Sequence, residues 1–341
     1  MSIRFRNSDN HINFIGIGAQ KSGTSWLYAR LNELEEFSLP PIKELHYFDR
    51  FSTVYGKSNL LQEASLQKRL INLKWTKTAL NVLFKNRKDS RKFRWLIKWY
   101  FSNYNESWYL SLFDNCKGIT GEISPSYAAI DKDGIKRMHD LVPHVKIIFI
   151  IRNPIERAWS QYRSFISERE PLDKEWDRYK SSLSVKGSNS LIDSIGTLED
   201  EKIIQFLNHD FQHLRSSYIQ TLENYVKYYK KEQILIGFFD AIEEQPKQFL
   251  KEIVGFVGGN EKMVTRLTNL DLKTNVSYST VAPEKISLFL KKKYQSLIAE
   301  LSDKFGGYCS KWYIDNYETD SSTIEVSPIL KCTLNLNSVE L

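Results

Sequence analysis

The sequence has few cysteines and no long hydrophobic run. Its 341 residues include three cysteines (Cys116, Cys309 and Cys332), too few and too scattered for a disulfide framework or a zinc cluster. The longest apolar stretch, Ile147 to Ile151, is far shorter than the ~20 residues of a membrane-spanning helix. Charged and polar residues interrupt positions 1–20, so no signal-peptide core is visible there. These absences predict free thiols in a reducing compartment and no bilayer-spanning segment.

Positive charge is concentrated in one segment. The chain has a formal net charge of +7, and residues 68–100 alone contain eleven Lys or Arg against one acid, Asp89. Aromatic residues lie among these cations: Trp75, Phe93, Trp95, Trp99 and Tyr100. Three interpretations remain open, namely a solvated amphipathic helix pair, a cleft wall for an anionic glycan, and a peripheral membrane contact. Nucleic acid is disfavoured as a partner, because no nucleic-acid motif accompanies the patch.

A Gly-rich turn follows the first predicted strand. The apolar run at 14–17 leads into the turn, and a helix is predicted to begin near Thr24. This arrangement directs backbone N–H groups and the positive end of a helix dipole at one point, which suits phosphate or sulfate. The Walker pattern of nucleoside-triphosphate sites is absent, because here the lysine precedes Gly-Thr-Ser. The candidate binding residues of the turn are Lys21, Ser22, Gly23, Thr24 and Ser25.

A second candidate anion site follows another strand. The β-branched run at 145–151 ends at Arg152, and Pro154 predicts the first turn of a helix that Asn153 caps. Ser160 lies roughly two turns into that helix, at ~3.6 residues per turn. Arg152 and Ser160 can therefore reach one phosphate.

The order of predicted elements indicates an α/β fold with three layers, α/β/α, around a central parallel sheet. Ligands of such sheets bind at the carboxyl ends of strands, where both anion motifs lie. We predict one domain over residues 1–319 with a largely helical basic insertion at about 51–117, and a C-terminal tail at 320–341 with no clear place in the core. Other predicted elements are strands at 119–122 and 233–239, helices at 154–168, 210–229 and 246–257, and a polar loop at 173–197.

These motifs resemble the sulfotransferases that use 3′-phosphoadenosine 5′-phosphosulfate (PAPS). In that family the first strand–loop–helix holds the 5′-phosphosulfate, and an Arg and a Ser spaced like Arg152 and Ser160 hold the 3′-phosphate. The segments Pro40–Phe48 (PPIKELHYF) and Gly121–Tyr127 (GEISPSY) look like the bacterial and glycan-modifying branch, which includes the heparan-sulfate sulfotransferases. The resemblance covers about residues 14–258.

The resemblance implies a reaction and roles for four residues. A sulfuryl group would pass from PAPS to a hydroxyl or amino group of a glycan, glycolipid or small-molecule acceptor, without an obligatory metal. Lys21 would stabilise the leaving phosphate, and Lys43 would help to hold the sulfuryl oxygens. Glu44 is the preferred general base, with a structural salt bridge as its alternative role. His46 is the rival base, because another branch of the family uses a histidine, although in a motif absent here.

Four further residues are similar to family positions more loosely. Tyr218 is similar to a tyrosine near the nucleotide, although an aromatic on an amphipathic helix is also typical of a core. Lys273 is the candidate in a basic loop that closes over the nucleotide, with a solvated lysine as the alternative. Ser124 and Tyr127 are expected to face the cleft and bind substrate, although Ser-Pro also makes turns.

An alternative role for Arg152, an ion pair of Arg157 and a cellular location also follow from the sequence. Arg152 has Glu156 as an alternative partner, and Arg157 is expected to point away from Arg152 as a structural ion-pair partner. Golgi members of the resembling family carry an N-terminal membrane anchor, and its absence here favours either a cytoplasmic, bacterial protein or a trimmed form of a longer one. No oligomeric state is predicted.

Two other functions remain open. A P-loop-like small-molecule kinase would use Asp240, which follows a predicted strand, to bind magnesium, but the missing Gly-Lys-Ser/Thr weighs against it. A catalytically inactive nucleotide-binding protein would keep the anion sites, but the presence of Lys21 and Glu44 weighs against it.

Overall fold

The computed structural model describes residues 12–51, 64–114, 116–167, 198–268, 270, 281–318 and 324–332. In these residues a five-stranded sheet has the order β2-β1-β3-β4-β5. Its strands are β1 (Ile12–Gly18), β2 (Thr120–Ile123), β3 (Lys146–Ile151), β4 (Ile234–Phe238) and β5 (Ile329–Lys331). The first four strands are parallel, and β5 is antiparallel to β4.

Helices fill most of the chain between the strands. The α-helices of the described part are α1 (Thr24–Asn32), α2 (Leu66–Ile71), α3 (Leu73–Lys85), α4 (Ser90–Tyr100), α5 (Glu106–Ser111), α6 (Lys132–Leu141), α7 (Pro154–Ser167), α8 (Leu198–Asn208), α9 (Asp210–Leu214), α10 (Tyr218–Tyr225), α11 (Phe239–Glu244), α12 (Pro246–Val257), α13 (Glu261–Val264), α14 (Glu284–Phe305) and α15 (Gly307–Tyr317). Short 3-10 helices span Asp49–Phe51, Pro125–Ala129 and Lys231–Gln233.

The central strands are buried on both faces, which explains their nearly continuous apolar sequence. On one face, Phe149 of β3 packs edge-to-face against Tyr218 of α10. On the other face, Phe249 of α12 lies so close to Gly237 of β4 that a Cβ there would be 2.7 Å from the ring. Trp26 of α1 packs against Phe249 on that same face. The predicted α/β architecture, with a mostly parallel sheet between helices, is therefore confirmed.

The insertion is helical, as predicted, and packs through its aromatic residues. Trp95 and Trp99 of α4 stack with ring centroids 5.4 Å apart, and Trp99 lies 5.3 Å from Trp108 of α5. The indole of Trp95 donates to the backbone oxygen of Leu112 at 2.8 Å. These contacts attach α4 to the body of the domain. Of the interleaved tryptophans in the basic segment, Trp99 is thus a core residue and the partly buried Trp95 packs against the core.

Two predicted elements are wrong. The single helix expected at 210–229 is two helices, α9 and α10, separated at Arg215–Ser217. The tail expected to lie outside the core supplies β5, and Cys332 beside it is buried. The polar loop at 173–197 lies outside the described residues, and the division into one domain and a tail stays a prediction.

All three cysteines are free thiols, with Cys309 and Cys332 buried. In the described part of the chain, no helix has the length and apolar character needed to cross a membrane.

Candidate active site

Three segments meet where β1, β2 and β3 end. Because β1 lies between the other two in parallel register, its end at Gly18 is level with Phe149, and Gly16 is level with Ile123. The backbone N–H of Ala19 donates to Ile150 at 2.6 Å. The backbone N–H of Glu44 donates to Ile123 at 3.2 Å. The anion turn, the Glu44 segment and the start of α7 are thereby brought to one edge of the sheet.

The anion turn ends at position 23, which only glycine can occupy. Gly23 is the N-cap of α1 with φ of 81°, in the left-handed region, and no side chain caps this helix in the structure. A Cβ on Gly23 would lie 2.4 Å from Cδ1 of Ile242 in α11. Close packing against α11 therefore fixes the turn. The first-turn N–H groups of α1 have no carbonyl partner within the helix, so they are available to an oxyanion.

The hydroxyl groups of the turn fit such an oxyanion. The Ser22 side chain is fully buried, and within the described residues its Oγ has no hydrogen-bond partner. Thr24 is buried and Ser25 half-buried at the start of α1. Lys21 has φ of 67°, an unfavourable left-handed backbone for a residue with a side chain. A buried orphan hydroxyl beside a helix N-terminus is what a phosphosulfate site needs, so the residues present fit the donor that the resemblance implies.

Arg152 joins the second anion motif to the first. Its Nη1 donates to the backbone oxygen of Lys21 at 3.2 Å, and its guanidinium lies 3.9 Å from the ring centroid of Phe239. The alternative salt bridge is also present, because Nη2 lies 3.0 Å from Oε2 of Glu156. Glu156 is half exposed on its side-chain surface. A bound phosphate would compete with Glu156 for a guanidinium that is already in position.

Helix α7 begins as predicted and carries Ser160. Asn153 accepts a hydrogen bond from the N–H of Ile155 at 3.0 Å, which satisfies a first-turn donor. Ser160 is buried two turns further along α7. The structure therefore places Arg152 at the end of β3 and Ser160 on the helix that follows it.

Tyr218 is buried next to Arg152 and binds its backbone. Its ring is fully buried against Phe149, and its hydroxyl donates to the backbone oxygen of Arg152 at 2.8 Å. Burial, more than the nearby Arg157 charge, sets the pKa of Tyr218, which is well above its ordinary value. The side chain is a core residue that positions Arg152.

Arg157 points away from Arg152, as predicted, but its partners are neutral. Nε donates to Oγ of Ser216 at 2.8 Å, and Nη2 donates to Oε1 of Gln212, also at 2.8 Å. The expected ion pair is wrong among the described residues, because no salt bridge to Arg157 is present there. The fully buried guanidinium instead fixes α9 and the break before α10 against α7.

The Glu44 segment contains a chain of charges that the sequence indicated only in part. Lys43 Nζ pairs with Oε1 of Glu44, and His46 Nε2 lies 3.4 Å from Oε2 of the same carboxylate. On the other side of the ring, His46 Nδ1 lies 2.6 Å from Oδ2 of Asp49. Asp49 is buried, and Oγ of Ser126 approaches the same Nδ1 at 3.3 Å. Both Glu44 and His46 have positive φ, at 65° and 52°, so this segment is tightly constrained.

The charges set the protonation of the two candidate bases. Burial opposes ionisation of Glu44, but the hydrogen bond from His46 and the Lys43 charge lower the pKa of Glu44 to about 2. Burial likewise opposes the charged form of His46, but Asp49 and Glu44 raise the pKa of His46 to about 10. At neutral pH Glu44 is therefore a carboxylate and His46 an imidazolium, which cannot accept a proton.

A buried carboxylate beneath this segment was missed as a site residue. Glu122 of β2 accepts hydrogen bonds from Tyr109 at 2.6 Å, from Ser124 at 2.7 Å and from Tyr127 at 3.2 Å. Burial raises the pKa of Glu122 to about 7. The backbone N–H of Tyr47 donates to the Tyr127 hydroxyl at 2.9 Å, so the network supports the Glu44 segment from below.

Ser124 and Tyr127 do not face the cleft. Both side chains are fully buried, and both hydroxyl groups are used by Glu122. The cleft-facing position expected for these residues is wrong, because Ser-Pro starts the 3-10 helix at 125–129 and turns them inward.

Two other residues were named as candidates. Lys273 lies outside the described residues. Asp240 lies in the first turn of α11, where its Oδ1 accepts a hydrogen bond from the Trp312 indole at 2.9 Å. Burial raises the pKa of Asp240 to about 6. In the described residues there is no cluster of three or more His, Cys, Asp or Glu arranged to hold a metal ion.

The sequence was compared with known families and solved structures. Residues 12–293 match the model of the sulfotransferase domain. The chain belongs to the sulfotransferase domain family. As a member it is a PAPS-dependent transferase, and its family implies PAPS as the sulfuryl donor. No curated protein matches the sequence.

The fold of this sulfotransferase is also found in solved structures. The sulfotransferase from Alicyclobacillus acidocaldarius is 22% identical, with a TM-score of 0.54, over 88% of this chain and 98% of that one. The sulfotransferase domain from the curacin biosynthetic pathway is 15% identical, with a TM-score of 0.46, over 73% of this chain and 75% of that one. The sulfotransferase domain of the Synechococcus PCC 7002 olefin synthase is 14% identical, with a TM-score of 0.46, over 84% and 94%. The first of these supports the α/β fold.

Proposed function

We propose that this sulfotransferase moves the sulfuryl group of PAPS in line to a hydroxyl or amino group of a glycan or glycolipid, as the heparan-sulfate-like branch does. The observation that carries the proposal is the 3.2 Å contact between Arg152 Nη1 and the backbone oxygen of Lys21. This contact joins two anion motifs that are far apart in the sequence. One doubly phosphorylated adenosine can then span both.

The donor would be held from both sides. The N-terminal amides of α1, with the hydroxyl groups of Ser22, Thr24 and Ser25, suit the 5′-phosphosulfate. Arg152 and the buried Ser160 suit the 3′-phosphate, where the guanidinium would exchange Glu156 for a more highly charged partner. Lys21 would stabilise charge on the departing phosphate. No metal is required for this charge stabilisation.

Glu44 is the general base of the proposed reaction. It is ionised at neutral pH, whereas His46 is already protonated. Lys43 pairs with the Glu44 carboxylate and keeps it weakly basic. If Lys43 turns to the sulfuryl oxygens when donor binds, the Glu44 pKa rises and the carboxylate becomes a better proton acceptor. His46 would remain a hydrogen-bonded cation that orients Glu44.

A cytoplasmic location and a carbohydrate acceptor are part of the same proposal. The location is supported by three cysteines that are all free thiols. The acceptor is supported by the basic helical insertion, whose cations suit an anionic or membrane-held substrate.

Calorimetry with the product 3′-phosphoadenosine 5′-phosphate (PAP), AMP, and ATP with and without magnesium tests the donor. We expect micromolar binding of PAP and at least about tenfold weaker binding of AMP, because AMP lacks the phosphate that Arg152 would contact. The variant Arg152→Ala should lose that preference and bind PAP and AMP alike.

The matched control is Arg266→Ala, which removes an exposed arginine elsewhere and should keep the preference for PAP. Tighter binding of magnesium-ATP than of PAP would instead support the kinase alternative and a metal role for Asp240. PAP binding without any sulfuryl transfer to screened acceptors would support the inactive nucleotide-binding protein.

A further inference from the structure

Exposed hydrophobic side chains are concentrated on three consecutive helices. Nine large hydrophobic side chains are exposed among the described residues, and six of them lie on α2, α3 and α4. These six are Leu70, Ile71, Leu73, Leu80, Phe84 and Ile97. Ile71 and Leu73 are 79% and 81% exposed. Single exposed hydrophobic residues are ordinary, but a cluster of this kind marks an interaction surface.

The apolar side chains of α3 form a row. Leu73, Leu80 and Phe84 are spaced by seven and four residues, which places them on one side of a helix. Ala79 and Leu83, which lie about 100° around the helix from Leu80 and Phe84, are buried. The row runs roughly 16 Å along the helix axis at ~1.5 Å per residue. Ile71, the last residue of α2, is exposed two residues before Leu73.

Helix α3 lies on the outside of the insertion. Helix α4 is the one attached to the domain: Lys98 donates to the backbone oxygen of Ser111 at 2.9 Å, and Arg91 donates to Ser38. Trp75 of α3 packs against Tyr100 at the end of α4. The side of α3 that carries the apolar row therefore faces away from the body of the protein.

Cations border this row. Lys74, Lys77 and Lys85 are exposed on α3, and Arg87 and Lys88 are exposed in the turn after it. The single acid of the segment, Asp89, is used as the cap of α4, where it accepts from the N–H of Lys92 at 2.9 Å. The surface formed by α2, α3 and their following turn (residues 66–88) is thus both apolar and strongly positive.

We infer that the 66–88 surface binds an anionic lipid bilayer, with α3 lying in the plane of the interface. The apolar row would enter the boundary between headgroups and acyl chains, while the lysines would reach the lipid phosphates. An anionic glycan would use the cations but leave Ile71, Leu73 and Phe84 exposed. A second copy of this chain would bring equal positive charge against itself. Lipid is the partner that satisfies both properties of the surface.

The inference concerns where the protein is held and does not depend on the sulfuryl donor. The test is co-sedimentation of the full chain with vesicles of phosphatidylcholine alone and of phosphatidylcholine with phosphatidylglycerol. We expect binding to the anionic vesicles, weakened but not abolished by salt. The triple variant Leu73→Gln, Leu80→Gln, Phe84→Gln should bind about tenfold more weakly or worse, because it removes the inserted apolar side chains. The triple variant Lys74→Gln, Lys77→Gln, Lys85→Gln should also weaken binding and reduce its salt dependence, because only Arg87 and Lys88 of the bordering cations remain.

Matched control variants test whether the position of the substitutions on the 66–88 surface matters, or only the type of residue removed. Val281→Gln with Leu288→Gln removes exposed hydrophobic side chains elsewhere, and Lys262→Gln, Lys285→Gln, Lys292→Gln removes equal exposed charge. Both should bind vesicles like the unmodified protein. PAP binding, measured on every variant, should be unchanged and shows that each is folded.

Three results would overturn the inference. One is the absence of binding to anionic vesicles by the unmodified protein. Another is a loss of binding in the lysine variant only, which would indicate simple attraction of a polyanion. The last is a change in oligomeric mass caused by the apolar triple variant in the absence of lipid, which would show that a second copy covers the surface.

Discussion

The charged residues around Glu44 determine the protonation states of the two candidate bases, Glu44 and His46. His46 lies between two carboxylates, Glu44 and Asp49, and Lys43 lies on the far side of Glu44. Two positive and two negative groups thus alternate in a partly buried segment. This balance keeps Glu44 ionised and His46 protonated, so the roles of the two candidate bases follow from their neighbours and differ despite their proximity.

The variant Glu44→Gln should lower kcat by about 10²- to 10⁴-fold, because it removes the proton acceptor but preserves the shape of the side chain. His46→Ala should lower kcat less, since the imidazolium orients Glu44 and does not accept the proton. Sulfuryl transfer would be measured with PAPS and a screened acceptor, alongside PAP affinity by calorimetry.

Glu35→Gln, an exposed carboxylate elsewhere, is the control and should behave like the unmodified enzyme. Full activity in Glu44→Gln together with complete loss in His46→Ala would assign the base to His46 instead.

Residue identities were predictable where a local pattern determines chemistry. The turn around Ser22 and the Arg152–Ser160 pair follow from strand, turn and helix signals in short stretches of sequence. Asp49 and Glu122 were not chosen, although both lie in or beside the motifs, because their importance depends on burial and on partners from other segments. Ser124 and Tyr127 were placed in the cleft wrongly for the same reason.

At the scale of elements, the segment that carries Glu44 is not part of a helix or strand and depends on its neighbours for its shape. The backbone N–H of Glu44 is bound by β2, and the N–H of Tyr47 is bound by the Tyr127 hydroxyl. Glu122 in turn holds Tyr127. The end of β2 and the 3-10 helix at 125–129 thus fix the position of the candidate base.

The variant Tyr127→Phe should lower kcat while leaving PAP affinity within about twofold. It removes the acceptor of the buried Tyr47 N–H, so it should also destabilise the protein by about 1–3 kcal/mol. Activity assays and chemical denaturation would measure the two effects.

Tyr229→Phe is the matched control, because the Tyr229 hydroxyl is buried without a hydrogen-bond partner in the described part of the chain. It should keep both activity and stability. Equal kcat losses in the two variants would contradict a positioning role for Tyr127.

Strands were easier to predict than the helix boundaries after Asp210. The β-branched runs of β3 and β4 predict strands clearly, because strands that are buried on both faces are apolar along nearly their whole length. The break between α9 and α10 depends instead on Arg157, which lies more than fifty residues earlier and binds Gln212 and Ser216. That partner is not visible in the local sequence.

For the whole molecule, the site couples the stability of the fold to pH. The pKa of His46 is raised from 6.5 to about 10, so its contribution is fully present below pH 6.5 and is lost as the pH rises toward 10. The pKa of Glu44 is lowered to about 2, so its contribution is present above pH 4.5 and is lost as the pH falls toward 2. Glu122, with its pKa raised from 4.5 to about 7, gives a contribution that is fully present below pH 4.5 and is lost as the pH rises through 7.

Between pH 7 and 9 the free energy of unfolding should therefore fall, with His46 contributing a slope of at most about 1.4 kcal/mol per pH unit. Urea denaturation at several pH values would measure it. In His46→Gln the free energy of unfolding should decrease less between pH 7 and 9 than in the unmodified protein. Because other groups titrate equally in both proteins, the difference between the two slopes reports on His46 alone. Identical slopes in the two proteins would show that His46 is not held as a cation.

The overall α/β class followed from the alternation of strands and helices, but the last strand did not. β5 has three residues in a tail rich in Ser, Thr and Asn, and it pairs through its backbone, so its side chains give little indication of it. The identity of the acceptor is the other property that short motifs do not encode, because surfaces from several segments select it.

The pairing of β5 with β4 has a practical consequence for anyone who shortens or labels this protein. The backbone of Leu235–Gly237 is covered only because Ile329–Lys331 runs beside it. A version that stops before Ile329 would leave those amides and carbonyls open to a neighbouring molecule, and it would tend to self-associate or precipitate even though every residue of the candidate active site is still present.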